Sequence, residues 1–536
     1  MVTQRRFGTY PILNGKAFRC VAILALVVLA HAAQARTPCA TIQKLKWERA
    51  GNGLFPLMAN FDRPFDPEQF MDSEQYPLRV HWQNQIFEDE APLVLESLEE
   101  AWEHQVVDLG YPAPVGDGEL GGGDNRVDVY LLGLGPGAVA LTLVDDDIDL
   151  SDGRANGPSH IQLDATQPSY LESLHHEFQH VLQFSMDRQE TIMFMEATAV
   201  YLEALAFPAS AQWGELVPDF QKYPQAPVFT DGVAWWDLWF SESFYEYGAA
   251  LFIMYLDENY GAGDGVLLRE MWEILHQDEE TETNEPDWMD AADTILNIPV
   301  SEMIADFATW RALVGPRATA EDGPTRATDL NATALLYTRS LVSEALDGRL
   351  LRNTDGFEAP HQLGCFTFDV YAKPSEALTL DIALASLAEE AERTLAFSWL
   401  VEGEDGGLAR FESEPGKQVA LEVTVPASGY FLGAACDVSA SDADDLPVPH
   451  PVELSVWNTA LPRVNVDGGV QDGGSILDGG EDPEEDHVQC GCTTIVPSPQ
   501  SALKEREENA SSVVFFGLVG PFILWQVRRR GASNRR

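Results

Sequence analysis

A pentapeptide at residues 176–180, His-Glu-Phe-Gln-His, constrains this chain more than any other feature. It places two imidazoles four residues apart, and residues at that spacing share one face of an α-helix. His176 and His180 can therefore bind one cation together, with the carboxylate of Glu177 beside the position left open for water. The fold must bring this helix together with the partners that its polar side chains need.

The flanking sequence predicts that this helix is buried. Pro168 suits a first helical turn. The apolar residues that follow it at helical spacing are Leu171, Leu174, Phe178, Val181 and Leu182. Buried imidazoles and a buried carboxylate need partners, and a metal ion supplies them. The alternative is a core helix with two hydrogen-bonded histidines, which leaves Glu177 without a role.

A third metal ligand is expected from a second helix. Residues 191–203 are apolar and helix-competent, and Glu196 is an isolated acid in the first turns. Ala197 and Ala199 are small enough to let this helix approach the first one closely. A carboxylate in such a helix needs a partner, and a bound metal provides it. Glu203 is two turns later and is either a carboxylate that orients a ligand histidine or an exposed charge.

Other third ligands are less well placed. Asp187 and Glu190 lie in the polar connection between the two helices. Metzincins have a glycine and then a third histidine after the pentapeptide, and here Gln183 and Met186 stand at those positions. The metzincin class is therefore excluded, and Glu196 is the best candidate.

Three segments together resemble the gluzincin metallopeptidases: residues 176–180, residues 196–203 (Glu-Ala-Thr-Ala-Val-Tyr-Leu-Glu) and residues 245–256 (Tyr-Glu-Tyr-Gly-Ala-Ala-Leu-Phe-Ile-Met-Tyr-Leu). Within that group the region is most similar to hyicolysin-type neutral metallopeptidases and to secreted metalloproteases of myxobacteria. The resemblance covers roughly residues 75–265 and differs in a shorter connection between the first two segments.

The resemblance implies a zinc peptidase with a protein or peptide substrate. The implied Zn²⁺ ligands are His176, His180 and Glu196. Glu177 would take a proton from a water whose pKa the zinc lowers, and would then pass it to the leaving amine. Tyr247, with Tyr245 as the alternative, would stabilise the oxyanion. For either tyrosine, an ordinary core position is an equally good interpretation.

The N-terminus predicts export. Residues 1–35 contain a basic stretch, a short apolar stretch and a terminal Ala-Gln-Ala, which is typical of a cleaved signal peptide. The apolar stretch is too short to span a membrane comfortably.

The C-terminus predicts membrane sorting. Residues 463–489 form an acidic linker rich in Gly and Asp. Residues 490–536 contain Cys-Gly-Cys, a predicted transmembrane helix at 513–527 and a cluster of arginines. This order resembles the MYXO-CTERM sorting tag, which implies sorting and processing machinery at the inner membrane. The mature protein would then be at the cell surface or outer membrane, or extracellular. An ordinary tail anchor is the alternative.

Between its ends the chain predicts an α+β fold. A gluzincin-like zinc metallopeptidase domain, with a small sheet plus helices, is expected over residues 36–345. Alternating strands predict a β-sandwich domain over residues 346–462, similar to modules that often follow secreted peptidases. Cys365 and Cys436 could pair across it after export, but Cys39 leaves the pairing open. The 536 residues carry a formal net charge of −53, which argues against nucleic acid as a partner.

Calcium is a second candidate cofactor. Five aspartates, at positions 145, 146, 147, 149 and 152, crowd one loop. Alternating acids can ligate Ca²⁺, but their spacing does not fit an EF-hand. The alternative is a solvated acidic loop.

Two functions of different classes remain open on the sequence. The first is an exported, cell-surface zinc endopeptidase. The second is a surface adhesion or scaffold protein with a zinc-peptidase fold and no activity. An aminopeptidase is disfavoured because no Gly-Ala-Met-Glu-Asn segment is present to hold a substrate amine.

Overall fold

A computed structural model describes residues 63–64 and 69–459 with internal gaps. The gaps are residues 119, 135–138, 146–155, 168–169, 230–243, 277–283, 315–329, 331–335, 342–346, 353–358, 374–375, 389–392, 404–407, 414, 440–441 and 444–447. The predicted signal peptide, acidic linker and sorting tag lie outside the described residues. Among the helices that are described, none is long and apolar enough to cross a membrane.

The fold is mixed α+β. Its first sheet has five strands, which are β1 (Gln69–Asp72), β2 (Leu78–Trp82), β3 (Val127–Leu131), β4 (Ala140–Val144) and β5 (Ser159–Leu163). Their order in space is β1-β2-β3-β5-β4. The three central strands are parallel, and β1 and β4 flank them antiparallel. Within the described chain, β4 therefore forms one edge of this sheet.

The two faces of this sheet differ in chemistry because successive side chains point to opposite sides. Val80, Val129 and Ile161 belong to the apolar core under the helices. The residues next to them in sequence are polar or charged, and on that other face His81 contacts Asp128. The face of the sheet toward the helices is thus apolar, and the opposite face contains ion pairs.

Helices cover the apolar face and continue beyond it. They are α1 (Ala91–Trp102), α2 (Tyr170–Phe184), α3 (Ile192–Ala206), α4 (Trp213–Lys222), α5 (Tyr245–Gly248), α6 (Ala250–Tyr260), α7 (Val266–Leu275), α8 (Trp288–Leu296) and α9 (Val300–Trp310). Helix α3 is buried on every side from Ile192 to Leu202, so it is a central helix of the core. Helix α1 packs on α2 through Trp102 and Phe178, whose rings are 5.8 Å apart.

Two further sheets follow. Their strands are β6 (Arg339–Leu341), β7 (Asp347–Arg352), β8 (Cys365–Tyr371), β9 (Leu378–Ser386), β10 (Leu395–Glu402), β11 (Leu408–Glu412), β12 (Gln418–Val425), β13 (Tyr430–Asp437) and β14 (Val452–Asn458). One sheet has the order β11-β10-β13-β8-β6 and the other β12-β9-β14-β7. Phe368 and Phe397 of the first sheet share an apolar cluster with Leu380 and Leu454 of the second, so the sheets pack as two layers.

Strand β6, which precedes the start predicted for the β-sandwich domain, pairs in parallel with β8. The boundary predicted between residues 345 and 346 stays a prediction. The described helices end at Trp310. A disulfide joins Cys365 and Cys436, which are directly paired residues of neighbouring strands in one sheet.

The helical part and the strand part share one apolar cluster. Leu363, Cys436 and Val438 belong to the same cluster as the helical core. At this contact Gly364 is required, because a Cβ there would lie 2.2 Å from the carbonyl oxygen of Gln225. The backbones of the two parts therefore approach each other without intervening side chains.

Candidate metal centre

Helix α2 separates its apolar residues from its polar ones. Leu174 and Phe178 point into the core, while His176 and His180 face Glu196 on helix α3. Both histidines and Glu196 are at most 2% exposed. The spacing of four residues thus brings both imidazoles to one buried surface, as predicted.

The candidate ligand atoms of His176, His180 and Glu196 lie close together. The Nε2 atoms of His176 and His180 are 3.1 Å apart. The Oε1 of Glu196 lies 3.1 Å from the first of these nitrogens, and its Oε2 lies 3.3 Å from the second. A tetrahedral zinc ion with bonds of about 2.0–2.1 Å separates its ligand atoms by about 3.3–3.4 Å. These contact distances are therefore close to the separations that one zinc ion requires.

The electrostatics of Glu196 also fit a cation. Both carboxylate oxygens are buried, and the two imidazoles are the polar groups described next to them. Burial opposes the charge on this carboxyl, but His176 and His180 outweigh burial and hold its pKa below the ordinary value. An ionised carboxylate and two imidazoles at one buried point are a ligand set that zinc accepts.

Gln183 orients one of the histidines, a role that the sequence analysis missed. Its Nε2 donates to the backbone oxygen of Met195 and to the hydroxyl of Thr198. Its Oε1 therefore faces the Nδ1 of His180, at 2.7 Å. Gln183 follows His180 by three residues on the same helix face, so helical spacing alone could have revealed this contact.

Glu203 is placed behind the other histidine. Its Oε2 lies 3.4 Å from the Nδ1 of His176, and its side chain is largely buried. Of the two interpretations of Glu203, the structure is consistent with a carboxylate that orients a ligand. Asp187 and Glu190 are both buried after the end of α2, and burial raises the pKa of Glu190 well above its ordinary value. Neither belongs to the cluster formed with Glu196.

Glu177 contacts the edge strand β4. The hydroxyl of Thr142, on β4, donates to the Oε2 of Glu177 at 2.7 Å and also lies 3.0 Å from its backbone oxygen. Both residues are 1% exposed. No sequence pattern indicated Thr142, because it lies 35 residues before Glu177 and meets it only through the sheet.

The structure distinguishes the two candidate tyrosines. The ring of Tyr247 stacks beside His176, with centroids 6.3 Å apart and an interplanar angle of 21°. The hydroxyl of Tyr245 donates to the backbone oxygen of Pro227 at 2.9 Å. Tyr247 therefore lies beside the candidate ligand His176, whereas the hydroxyl of Tyr245 is engaged elsewhere in the core.

The acidic loop is described only at its first aspartate. Asp145 accepts two hydrogen bonds from Arg63, at 2.7 and 2.6 Å, and contacts the Nδ1 of His160 at 2.9 Å. Its other four aspartates lie outside the described residues. Arg63 also contacts Asp117 and Asp128, each at 2.6 Å. Asp145 thus belongs to an ionic cluster behind the sheet, and calcium at this loop stays a prediction.

A second group of acids meets where the helical and strand parts touch. Glu285, Asp287 and Asp442 each offer a carboxylate oxygen within 4.8 Å of the others. Asp287 caps α8 by accepting from the backbone nitrogens of Met289 and Asp290. Its position is explained by that cap and does not call for an ion.

Comparisons with known proteins add little to this geometry. No protein-family model and no curated protein matches the sequence. The pre-peptidase C-terminal domain of a collagenase from Bacillus anthracis is 12% identical, covers 22% of this chain and 94% of its own, and has a TM-score of 0.14. PliG, a periplasmic lysozyme inhibitor from Aeromonas hydrophila, is 12% identical over 22% of this chain and 96% of its own, with a TM-score of 0.15. Similarities this weak identify neither fold nor function.

Proposed function

We propose that this protein is an exported, cell-surface zinc metalloendopeptidase of the gluzincin type. The observation that carries the proposal is the buried cluster of His176, His180 and Glu196, whose polar atoms make contacts of 3.1, 3.1 and 3.3 Å. Glu177 follows directly after the first proposed ligand and contacts Thr142 of the edge strand. A zinc ion at this cluster would polarise a substrate carbonyl and lower the pKa of a bound water.

The chain's own residues take distinct parts in this reaction. Glu177 accepts the proton of the attacking water and later delivers it to the leaving amine. Tyr247, beside His176, donates a hydrogen bond to the oxyanion. Gln183 and Glu203 keep the two imidazoles in a fixed orientation.

Strand β4 offers a place for an extended peptide. In its antiparallel pairing with β5, the backbone nitrogen of Asp145 donates to Pro158, and the backbone oxygen of Val139 accepts from Asp164. In an antiparallel pair only every second residue forms hydrogen bonds with the partner strand. The backbone groups of residues 140, 142 and 144 therefore point away from β5. A peptide that pairs with this edge would lie alongside Glu177, which suits an endopeptidase acting within a chain.

Export and display form part of the same proposal. The signal peptide at 1–35 would be removed on export. The tag at 490–536 would bring the protein to the sorting machinery through its membrane helix, and the linker at 463–489 would tether the enzyme. Both termini lie outside the described residues, so their support is the sequence pattern alone.

Zinc analysis combined with proteolysis tests the enzymatic proposal. The purified protein should contain about one zinc per chain and should digest casein. Glu177→Gln, which keeps the side-chain volume, should retain the zinc and lose the digestion. If the wild-type protein holds zinc but digests no more than this variant across varied peptides, the inactive surface scaffold is the better description.

A further inference from the structure

The contact between Thr142 and Glu177 joins the edge strand to the base of the proposed reaction. A threonine hydroxyl has one proton to donate. The shorter distance, 2.7 Å, leads to the carboxylate Oε2, and the longer one, 3.0 Å, to the backbone oxygen of the same residue. The hydroxyl is thus held against one turn of α2 and faces the carboxylate.

The register of β4 explains why Thr142 can make this contact. Thr142 pairs with Ile161 on β5, and its side chain points to the face of the sheet that the helices cover. Its backbone groups point away from β5, toward the edge where a peptide would pair. One residue therefore faces both the peptide path and Glu177.

We propose that Thr142 is a positioning residue that holds the carboxylate of Glu177 in its working orientation. This inference rests on the proposed peptidase function and deepens it. A glutamate side chain has several rotatable bonds, and only some of its rotamers place a carboxylate oxygen beside a bound water. The hydrogen bond from Thr142, at 2.7 Å, selects among them.

Because Thr142 also lies on the peptide path, binding and chemistry are linked through it. A peptide that pairs with β4 fixes the strand, and the strand fixes the hydroxyl that orients Glu177. A small displacement of a catalytic group can cost about 100-fold in rate. Correct pairing of the peptide would therefore be needed for full activity as well as for binding.

Two substitutions at residue 142 separate the hydroxyl from the volume of the side chain. Thr142→Val keeps the shape and removes the donor, and Thr142→Ser keeps the donor. We expect Thr142→Val to lower kcat by about 10- to 100-fold, with KM and zinc content near wild-type values. Thr142→Ser, which keeps the donor, should retain most of the wild-type kcat.

A matched control and a structural measurement keep the test decisive. Thr367→Val removes a buried hydroxyl that donates to Tyr337 in the strand part, and should leave kcat unchanged. Crystal structures should show Glu177 in one rotamer in the wild-type protein and in several in Thr142→Val. An unchanged kcat or an unchanged Glu177 rotamer in Thr142→Val would overturn the assignment. A loss of kcat in Thr142→Ser as large as that in Thr142→Val would also overturn it.

The kinetics of three proteins separate an error in the role of Thr142 from an error in the proposed peptidase function. If the wild-type protein digests no more than Glu177→Gln, the peptidase itself is wrong. If the wild-type protein is active and Thr142→Val matches it in kcat, only the role of Thr142 is wrong.

Discussion

The Nδ1 of His180 lies 2.7 Å from the Oε1 of Gln183, and this contact makes Nδ1 a donor. The amide nitrogen of Gln183 already donates to Met195 and Thr198, so its oxygen is the acceptor. In the neutral imidazole that a bound metal requires, the lone pair is then on Nε2, the atom 3.3 Å from Glu196. Removing this acceptor should weaken the metal site while leaving all three proposed ligands in place.

Zinc affinity should therefore fall in Gln183→Leu, by about 10- to 100-fold. Gln183→Glu keeps an acceptor for His180 and should bind zinc more tightly than the leucine variant. Competition with a zinc-sensitive dye measures both. Equal dissociation constants for wild type and Gln183→Leu would contradict an orienting role.

The two glutamates of α3 should differ in their effect on zinc. Glu196→Ala removes a proposed ligand and should abolish stoichiometric binding, because two histidines hold the ion much less tightly than three ligands. Glu203→Ala removes only a contact to the Nδ1 of His176 and should reduce affinity without abolishing it. Elemental analysis after dialysis distinguishes them. Full zinc in Glu196→Ala would mean that the third ligand is another residue.

The neighbouring tyrosines give a matched pair for the oxyanion. Tyr247→Phe should lower kcat by about 10²- to 10³-fold if its hydroxyl stabilises the transition state. Tyr245→Phe loses the bond to Pro227 and should cost about 1 kcal/mol of stability with kcat retained. Steady-state kinetics and urea unfolding of both variants provide the measurement. Similar kcat values for the two would remove Tyr247 from the mechanism.

The ionic cluster behind the sheet should contribute to stability. The guanidinium of Arg63 contacts three carboxylates, those of Asp117, Asp128 and Asp145. Arg63→Gln leaves these buried carboxylates without that charge and should lower the free energy of unfolding by about 3–5 kcal/mol. Urea unfolding checks this, with Arg269→Gln as a control because Arg269 pairs with the exposed Glu273. A loss no larger than in the control would show that Arg63 contributes little.

The same cluster predicts a pH dependence. Burial raises the pKa of Asp117 to about 7 against the opposing effect of Arg63, and Asp128 adds to the rise. The folded protein therefore keeps a proton that the unfolded chain releases. This contribution to stability is full below the ordinary pKa of Asp, about 4, and is lost as the pH rises through 7.

Asp117→Asn should consequently flatten the fall in unfolding free energy between about pH 4 and 7, the interval between the unfolded and folded pKa values. Urea unfolding of both proteins with the metal removed isolates this effect from zinc binding. An identical pH profile in the variant would show that Asp117 is not the group responsible.

The sequence was informative where the chemistry is local. His176 and His180 are four residues apart on one helix, so their shared face follows from helical geometry. Glu196 could be chosen because a lone acid in an apolar helix needs a partner. The strands of the two later sheets were also predictable, since long alternating runs such as β9 show a clear period.

Contacts between distant segments could not be predicted from a single sequence. Thr142 reaches Glu177 only because β4 lies at the edge of the sheet next to α2. Arg63 meets Asp145, which is 82 residues away. Neither pairing leaves a periodic signal in the sequence, because each depends on how strands are ordered in space.

Because the two parts share an apolar cluster, the strand part is not an independent module that could be exchanged between proteins. Binding modules are exchanged between secreted enzymes when they fold alone. Here Leu363 and Val438 complete the core of the helical part, and the backbone nitrogen of Ala443 donates to Asp287, the cap of α8. Grafting these sheets onto another protein, or deleting them from this chain, would require a new surface on both sides of the join.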